Sequence, residues 1–407
     1  MTDLDKGWTP LMRAVAIGSL DDVDRALGDG ADLEATDRWG RTAFQLALIG
    51  GDVAKIERLF ERGANADAAG RMGPALFHAI NGGHTDAVRW LLDAGADVDQ
   101  MDDGGMTALM YAAEEDNAPA VDLLVSAGAD VDRYAFGTAL QRARSRAIVA
   151  RLLDGGADPK SLTNEARRVM IGLPPDPDVR LLDATLDEFR RAQSRRFGAA
   201  NPEPMREPFW LAMIRSGVDA WAATQKFDPS MTIQRDPIWC AQRYGQSLTR
   251  LPDGRIVLIG GEHEDHYDPD FCIYNDVFVH APDGTIAVFG YPEAVFPPTD
   301  FHTATLIGDA IYVIGSLGYR GKRRFGETPV FRLDLATLRM ERLAPGGDAP
   351  GWLYEHRADP TGAAEIRIHG GMLVTMAYGA ELTVPNPDTF VLDVDRLIWR
   401  RTDHGAV

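Results

Sequence analysis

The chain has 407 residues, with 42 Lys+Arg against 61 Asp+Glu and a formal charge of −19. At roughly 150 residues per domain, such a length predicts two or three domains. Hydrophobic residues at 45% and charged residues at 25% exclude a disordered or fibrous chain, and the acidic balance argues against nucleic acid or an anionic membrane as partner, since both recruit clustered Lys and Arg.

The charge is unevenly spread. Residues 1–160 carry 16 basic and 27 acidic groups (−11), 161–235 carry 11 and 10 (+1), and 236–407 carry 15 and 24 (−9). Three segments are expected on that ground: 1–160, 161–235 and 236–407. Cys240 and Cys272 are too few for a disulfide framework and lack metal-ligand spacing. The start lacks a basic run followed by an apolar one, and no apolar stretch approaches ~18 residues. A soluble, reducing, cytoplasmic setting is the expectation.

The tripeptide Gly-Ala-Asp/Asn recurs at Gly30, Gly63, Gly95, Gly128 and Gly156, spaced 33, 32, 33 and 28 residues apart. Ahead of each lies a second element, such as Gly7-Trp-Thr-Pro-Leu, Gly40-Arg-Thr-Ala-Phe and Gly105-Met-Thr-Ala-Leu. Thr9, Thr42 and Thr107 suit helix N-caps, with Pro10 suited to a first turn. Ala14, Ala47, Ala79, Ala112 and Ala143 supply small residues where two helices approach. The glycine of Gly-Ala-Asp can end a second helix in the left-handed conformation. One such unit cannot bury its apolar face alone, so neighbours must stack.

With Thr9-Pro-Leu, His84 after Gly82-Gly83, and Gly95-Ala-Asp-Val-Asp in place, the segment resembles ankyrin repeats, five units over 5–159 with the last shortened and polarised by Arg142, Arg144 and Arg146. The resemblance implies an α-solenoid that binds protein through its hairpin tips and the inner face of its first helices. Those positions are Trp8, Arg38, Trp39, Arg41, Arg71, Met72, Met106 and Tyr134 at tips, with Glu114 and Glu115 on a helix. Trp39 either anchors a partner or packs locally. His78 and His84 have no ligand partners at metal spacing and are expected to be structural.

The middle segment loses the repeat. Apolar spacing at Val179, Leu182, Leu186 and Phe189 predicts a helix from Asp178 to Arg196, and a second from Pro208 to about Lys226, with Asn201-Pro-Glu-Pro as turn or linker. Arg190, Arg191, Arg195 and Arg196 read as the solvated end of the first helix.

From about 238, apolar runs with turn punctuation predict strands. Arg255-Ile-Val-Leu-Ile-Gly260, Ala310-Ile-Tyr-Val-Ile-Gly315 and Glu365-Ile-Arg-Ile-His-Gly370 are three copies of one strand ending, their glycines 55 apart. A second strand follows each, and Gln246, His302 and His356 stand upstream at matching offsets. This arrangement looks like kelch repeats, the blades of a β-propeller, over 238–403. Propellers close with about four to eight blades, so three leave a diverged fourth blade, an open arc whose edges the helices of 178–227 cover, or closure by self-association. The whole chain is therefore expected to be a multidomain α + β protein: an α-solenoid, a helical linker and all-β kelch-like blades.

The loop after the first glycine pair holds Glu262, His263, Glu264, Asp265, His266, Asp268 and Asp270. These residue types could ligate a divalent metal, with Glu262, His263, His266 and Asp268 the foremost candidates, although the spacing matches no calcium loop. The second blade's loop, Tyr319-Arg-Gly-Lys-Arg-Arg-Phe, is its electrostatic opposite, so mutual neutralisation is the simpler expectation. No nucleophile elbow, phosphate-cradling loop or zinc-protease helix occurs. The expected function is a non-enzymatic interaction scaffold, without cofactor, binding proteins that carry a basic surface. The alternatives are an acidic inhibitor of a basic toxin or nuclease, and a metal-binding or enzymatic domain using 262–270.

Overall fold

A computed structural model describes residues 7–65, 73–229, 237–263 and 272–402. The chain divides into two compact units, Met1–Met170 and Ile171–Val407.

The first unit is a run of helix pairs: α1 (Pro10–Ile17) and α2 (Leu20–Gly28), α3 (Ala43–Gly50) and α4 (Val53–Glu61), α5 (Ala75–Asn81) and α6 (Thr85–Asp93), α7 (Ala108–Glu114) and α8 (Ala118–Ser126), α9 (Ala139–Arg142) and α10 (Arg146–Asp154), followed by α11 (Asn164–Met170). Each first helix starts where its threonine caps it: the hydroxyls of Thr9, Thr42, Thr107 and Thr138 accept the N–H groups of Met12, Gln45, Met110 and Gln141. The third pair departs, because Pro74 stands at the cap position and offers no side-chain acceptor.

Each second helix ends in one repeated device. Gly30, Gly63, Gly95, Gly128 and Gly156 all take positive φ, between 84° and 94°. The following alanine N–H then reaches back to a carbonyl five residues earlier, as in Ala31 to Ala26 at 3.1 Å and Ala129 to Leu124 at 3.0 Å. This is the Schellman arrangement, which satisfies carbonyls the helix end leaves open. The five alanines at the helix crossings are all buried. The shortened fifth pair has only a four-residue first helix.

Residues 171–229 belong with the strands in the second unit, so packing draws two units where charge and pattern suggest three segments. The helix expected from Asp178 to Arg196 forms only as α12 (Leu186–Ala192), after a single 3₁₀ turn at Val179–Leu181. Thr185 starts it, in a reciprocal capping box with Glu188. The helix expected from Pro208 to Lys226 is two, α13 (Pro208–Ser216) and α14 (Ala220–Phe227). Gly217 at φ 67° ends the first, and the Asp219 carboxylate caps the second. Between α12 and α13 the expected linker contributes a strand, β1 (Glu203–Met205).

The strands that follow are β2 (Ser247–Arg250), β3 (Ile256–Ile259), β4 (Glu262–His263), β5 (Cys272–Ile273), β6 (Val277–His280), β7 (Ile286–Gly290), β8 (Thr303–Ile307), β9 (Ala310–Ile314), β10 (Val330–Asp334), β11 (Met340–Leu343), β12 (Gly346–Gly347), β13 (Trp352–Tyr354), β14 (Arg357–Pro360), β15 (Glu365–His369), β16 (Met372–Ala377), β17 (Ala380–Pro385), β18 (Thr389–Asp393) and β19 (Ile398–Thr402). Three four-stranded antiparallel meanders result: β2-β3-β6-β7, β8-β9-β10-β11 and β14-β15-β18-β19. The three repeated strand endings are β3, β9 and β15, and Gln246, His302 and His356 stand immediately before β2, β8 and β14.

These sheets pack face to face through period-two alternation. Val257, Ile259, Val277 and Val279 of the first meet Ile311, Val313, Phe331 and Leu333 of the second. The intervening side chains of the second, Ala310, Tyr312, Ile314 and Val330, meet Ile366, Ile368, Phe390 and Leu392 of the third. Their first strands are also linked, His302 to the Ser247 hydroxyl and Thr303 to the His356 imidazole, both at 2.8 Å.

The two outer faces are finished differently. The first sheet turns a buried row outward, Leu248, Leu258, Phe278, Val288 and Met205. Trp239 packs 5.8 Å from Phe278, and Trp210 of α13 stacks on Trp239 at 4.7 Å. A strand, β1, and not a helix lies along this sheet's edge, while the helices cover its face. The third sheet instead presents Asp359, Glu365, Arg367 and His369, with Arg367 and His369 both reaching Asp359. A polar outer face is what the end of a repeat stack requires.

Candidate functional site

The tip between the first and second helix pairs is built on Asp37. Its carboxylate accepts the backbone N–H groups of Trp39 and Arg41, each at 2.9 Å, and the Arg41 guanidinium at 2.8 and 2.7 Å. Burial alone would raise the pKa of Asp37, but these donors together hold it below the ordinary carboxylate value. Asp102, at the tip between the third and fourth helix pairs, repeats the device, accepting from Gly104 and Met106 at 2.9 and 2.8 Å.

The fixed loop displays Trp39 half-buried, with the Arg38 guanidinium 3.8 Å from the ring centroid and that of Arg41 4.6 Å away. The indole thus packs against two arginines of its own loop. Trp8 is half-buried, and its indole N–H finds no acceptor among the described residues. Arg71 and Met72 lie outside the described residues. Met106 is half-buried at its tip.

Tyr134 is 72% exposed, and beside it Phe136 is 90% exposed at φ 50°. Sequence reasoning passed over Phe136, although a phenylalanine directly before the tip glycine Gly137 was the available signal. On the first helices, Glu114 and Glu115 are exposed, and Glu114 is held by Arg142 of the next pair at 3.0 Å. Tyr111 stands near both, stacked on Phe77 at 5.2 Å and donating to Asn81. Burial and the two glutamates push its pKa up. His78 is buried and its pKa is lowered to about 4 by burial. His84 packs its ring where a Cβ on Gly51 would stand.

In the second unit, Glu262 and His263 form β4, paired with β5 and about nine-tenths buried. They are therefore not on an open loop. His266 and Asp268, with the rest of 264–271, lie outside the described residues. Among the described residues, no three His, Cys, Asp or Glu side chains converge as a metal site. In the basic loop the Tyr319 hydroxyl accepts from the Ile273 N–H at 2.8 Å and from Arg195 at 3.2 Å. Arg323 pairs with Glu381 at 2.7 Å. Of the arginines expected at a solvated helix end, Arg195 thus serves this joint and Arg196 pairs with Glu203.

A buried cluster nearby had no signal in the sequence. Arg243 lies 3.5 Å from the Tyr274 ring centroid and 4.7 Å from that of Phe278 and is ion-paired to Asp276, whose carboxylate also accepts the Trp239 indole N–H at 3.1 Å. Cys240 and Cys272 are buried free thiols beside it, and burial pushes Cys240 up to about 11. Such thiols stay protonated and inert.

Residues 68–135 match the family described as ankyrin repeats, in three copies. A relative, the transient receptor potential cation channel subfamily A member 1 homolog of Caenorhabditis elegans, is 31% identical over 90 residues, which is 22% of this chain and 7% of that protein. The chain thus spans a small fraction of the relative's length.

Proposed function

We propose that the protein is a non-enzymatic, cytoplasmic adaptor, whose ankyrin unit binds a protein partner and whose kelch-like sheets form a second recognition platform. One observation carries the reading: the helix-pair tips hold large aromatic and arginine side chains, a half-buried Trp39 between Arg38 and Arg41 on the loop fixed by Asp37, and an exposed Tyr134 with Phe136. Trp, Tyr and Arg are the side chains that dominate protein interfaces, and rigid presentation lowers the entropy lost on binding. The −11 charge over 1–160, with Glu114 and Glu115 exposed on the first helices, favours a partner with a basic surface.

Co-purification from cell extract with the full chain tests this. The captured partner is expected to lose about 2 kcal/mol of affinity with the double variant Arg38→Ala and Trp39→Ala, measured by titration. Unchanged affinity there and with Phe136→Ala would move the interface off these tips. One dominant basic partner whose activity disappears on binding would replace the adaptor reading with that of an inhibitor.

A further inference from the structure

The outer edge of the first sheet is only partly closed. β1 pairs Glu203, Pro204 and Met205 with Gly290, Phe289 and Val288 of β7. β7 begins earlier, at Ile286, so among the described residues Ile286 and Ala287 have no strand beside them on that side. The chain of β1 leaves the sheet at Arg206 and turns into α13 at Pro208. Where it leaves, a cleft of about 860 Å³ opens between α13 and the uncovered stretch of β7.

The lining combines two chemistries. Leu181 and Leu211 supply apolar surface, while Arg180, Arg206 and Arg215 line it together with Asp183. Arg206 and Arg215 are exposed, and Arg180 is held by Asp178 at 2.8 Å with its side chain 87% exposed. In a chain of charge −19 this is a local reversal of sign, and it lies in the one segment whose balance is positive.

Uncovered strand edges present N–H and C=O groups to any extended chain, and peptide recognition commonly adds a strand at such an edge. Guanidinium forks match carboxylates in geometry as well as charge. We propose that this cleft binds an extended acidic segment of a partner protein, added as a strand along Ile286–Ala287 with its carboxylates on Arg206 and Arg215. The site is separate from the ankyrin tips and opposite in charge preference to the partner proposed for them.

The test uses the full chain and a fluorescein-labelled peptide, Glu-Val-Glu-Val-Glu-Val-Glu, read by anisotropy at low salt. Saturable binding is expected, weakened by added salt, with none for the peptide carrying Lys in place of Glu. Arg206→Glu with Arg215→Glu should weaken it at least tenfold, and Arg206→Glu alone several-fold. Arg396→Glu, on an exposed residue elsewhere in the unit, and Trp39→Ala at the ankyrin tip should leave it within twofold. A proline at the central Val keeps the charge but removes an N–H, and should cost at least fivefold. Equal binding by the double variant or by the proline peptide overturns the proposal. So does equal competition by inorganic phosphate or an oligonucleotide, which would mark a general anion site.

Discussion

The two units solve one problem, stacking copies that are unstable alone, with different tolerance for sequence drift. In the helix pairs the left-handed position at each second-helix end is glycine in all five copies. In the sheets the corresponding left-handed position precedes each first strand, at Gly245, Phe301 and Glu355, with φ of 60°, 46° and 55°. The backbone repeats there as faithfully: Phe301 N–H donates to Gly245 O, and Glu355 N–H to Phe301 O, each at 2.9 Å. Glycine is required only in the first copy, where a Cβ would stand 2.6 Å from the Phe301 nitrogen. Sheet-to-sheet hydrogen bonds hold the other two in a conformation their side chains disfavour. A repeat carried by backbone bonds leaves a weaker trace in sequence than one carried by glycine.

The sharpest way to separate the units is through their Arg–Asp pairs. Arg243 and Asp276 are both almost wholly buried, so Arg243→Ala strands a carboxylate in an aromatic cage and should cost about 3–5 kcal/mol. Arg41 is partly exposed, and Asp37 keeps two backbone donors without it, so Arg41→Ala should cost about 1 kcal/mol. Segment-resolved hydrogen exchange should place the first loss in 171–407 and the second in 1–170. A loss shared by both units in either variant would break the division.

Acid should also load the units unequally. His78 and His280 are buried, and burial lowers each to about 4 from an ordinary 6.5. The unfolded chain therefore takes up protons first, and stability falls as pH drops from 6.5 to 4, by up to roughly 3 kcal/mol for each. In the second unit Asp300 works against this. Its pKa is raised by burial, so it gains its proton on the folded side as pH falls and returns stability. Denaturant titrations of the first unit should show the decline across this window, and His78→Leu should flatten it. An unchanged second-unit slope in Asp300→Asn would remove the role given to Asp300.

What could be read in advance follows from the same contrast. Thr9, Thr42 and Thr107 were legible as caps because one side chain and one N–H suffice, three residues apart. The strand endings at Gly260, Gly315 and Gly370 were legible for a similar reason, a local run of apolar residues with a turn. The helix expected over 178–196 failed because apolar spacing ignores the competing start signal at Thr185, and β1 was hidden because its pairing partner lies 83 residues away at Val288. Of the site residues, Trp39 was legible as an unusual tip residue, but not its two guanidinium neighbours' positions. The Arg243 cluster depends on contacts across 33 residues and gave no periodic sign.

The smallest expected effects test the opening comparison directly. Gly128 sits at φ 88° with no atom within 4 Å of a built Cβ, so Gly128→Ala meets only the left-handed penalty, about 1 kcal/mol destabilising. Glu355 is also left-handed, at φ 55°, with an exposed side chain. Glu355→Gly removes the strain but adds backbone freedom to the unfolded chain, so a net gain of up to about 1 kcal/mol is expected in thermal melts of the second unit. The two substitutions should thus shift melting in opposite directions. If Glu355→Gly destabilises instead, the side chain contributes more than the strain costs. Its place in the repeat would then be maintained by glutamate itself and not by the backbone bonds to Phe301.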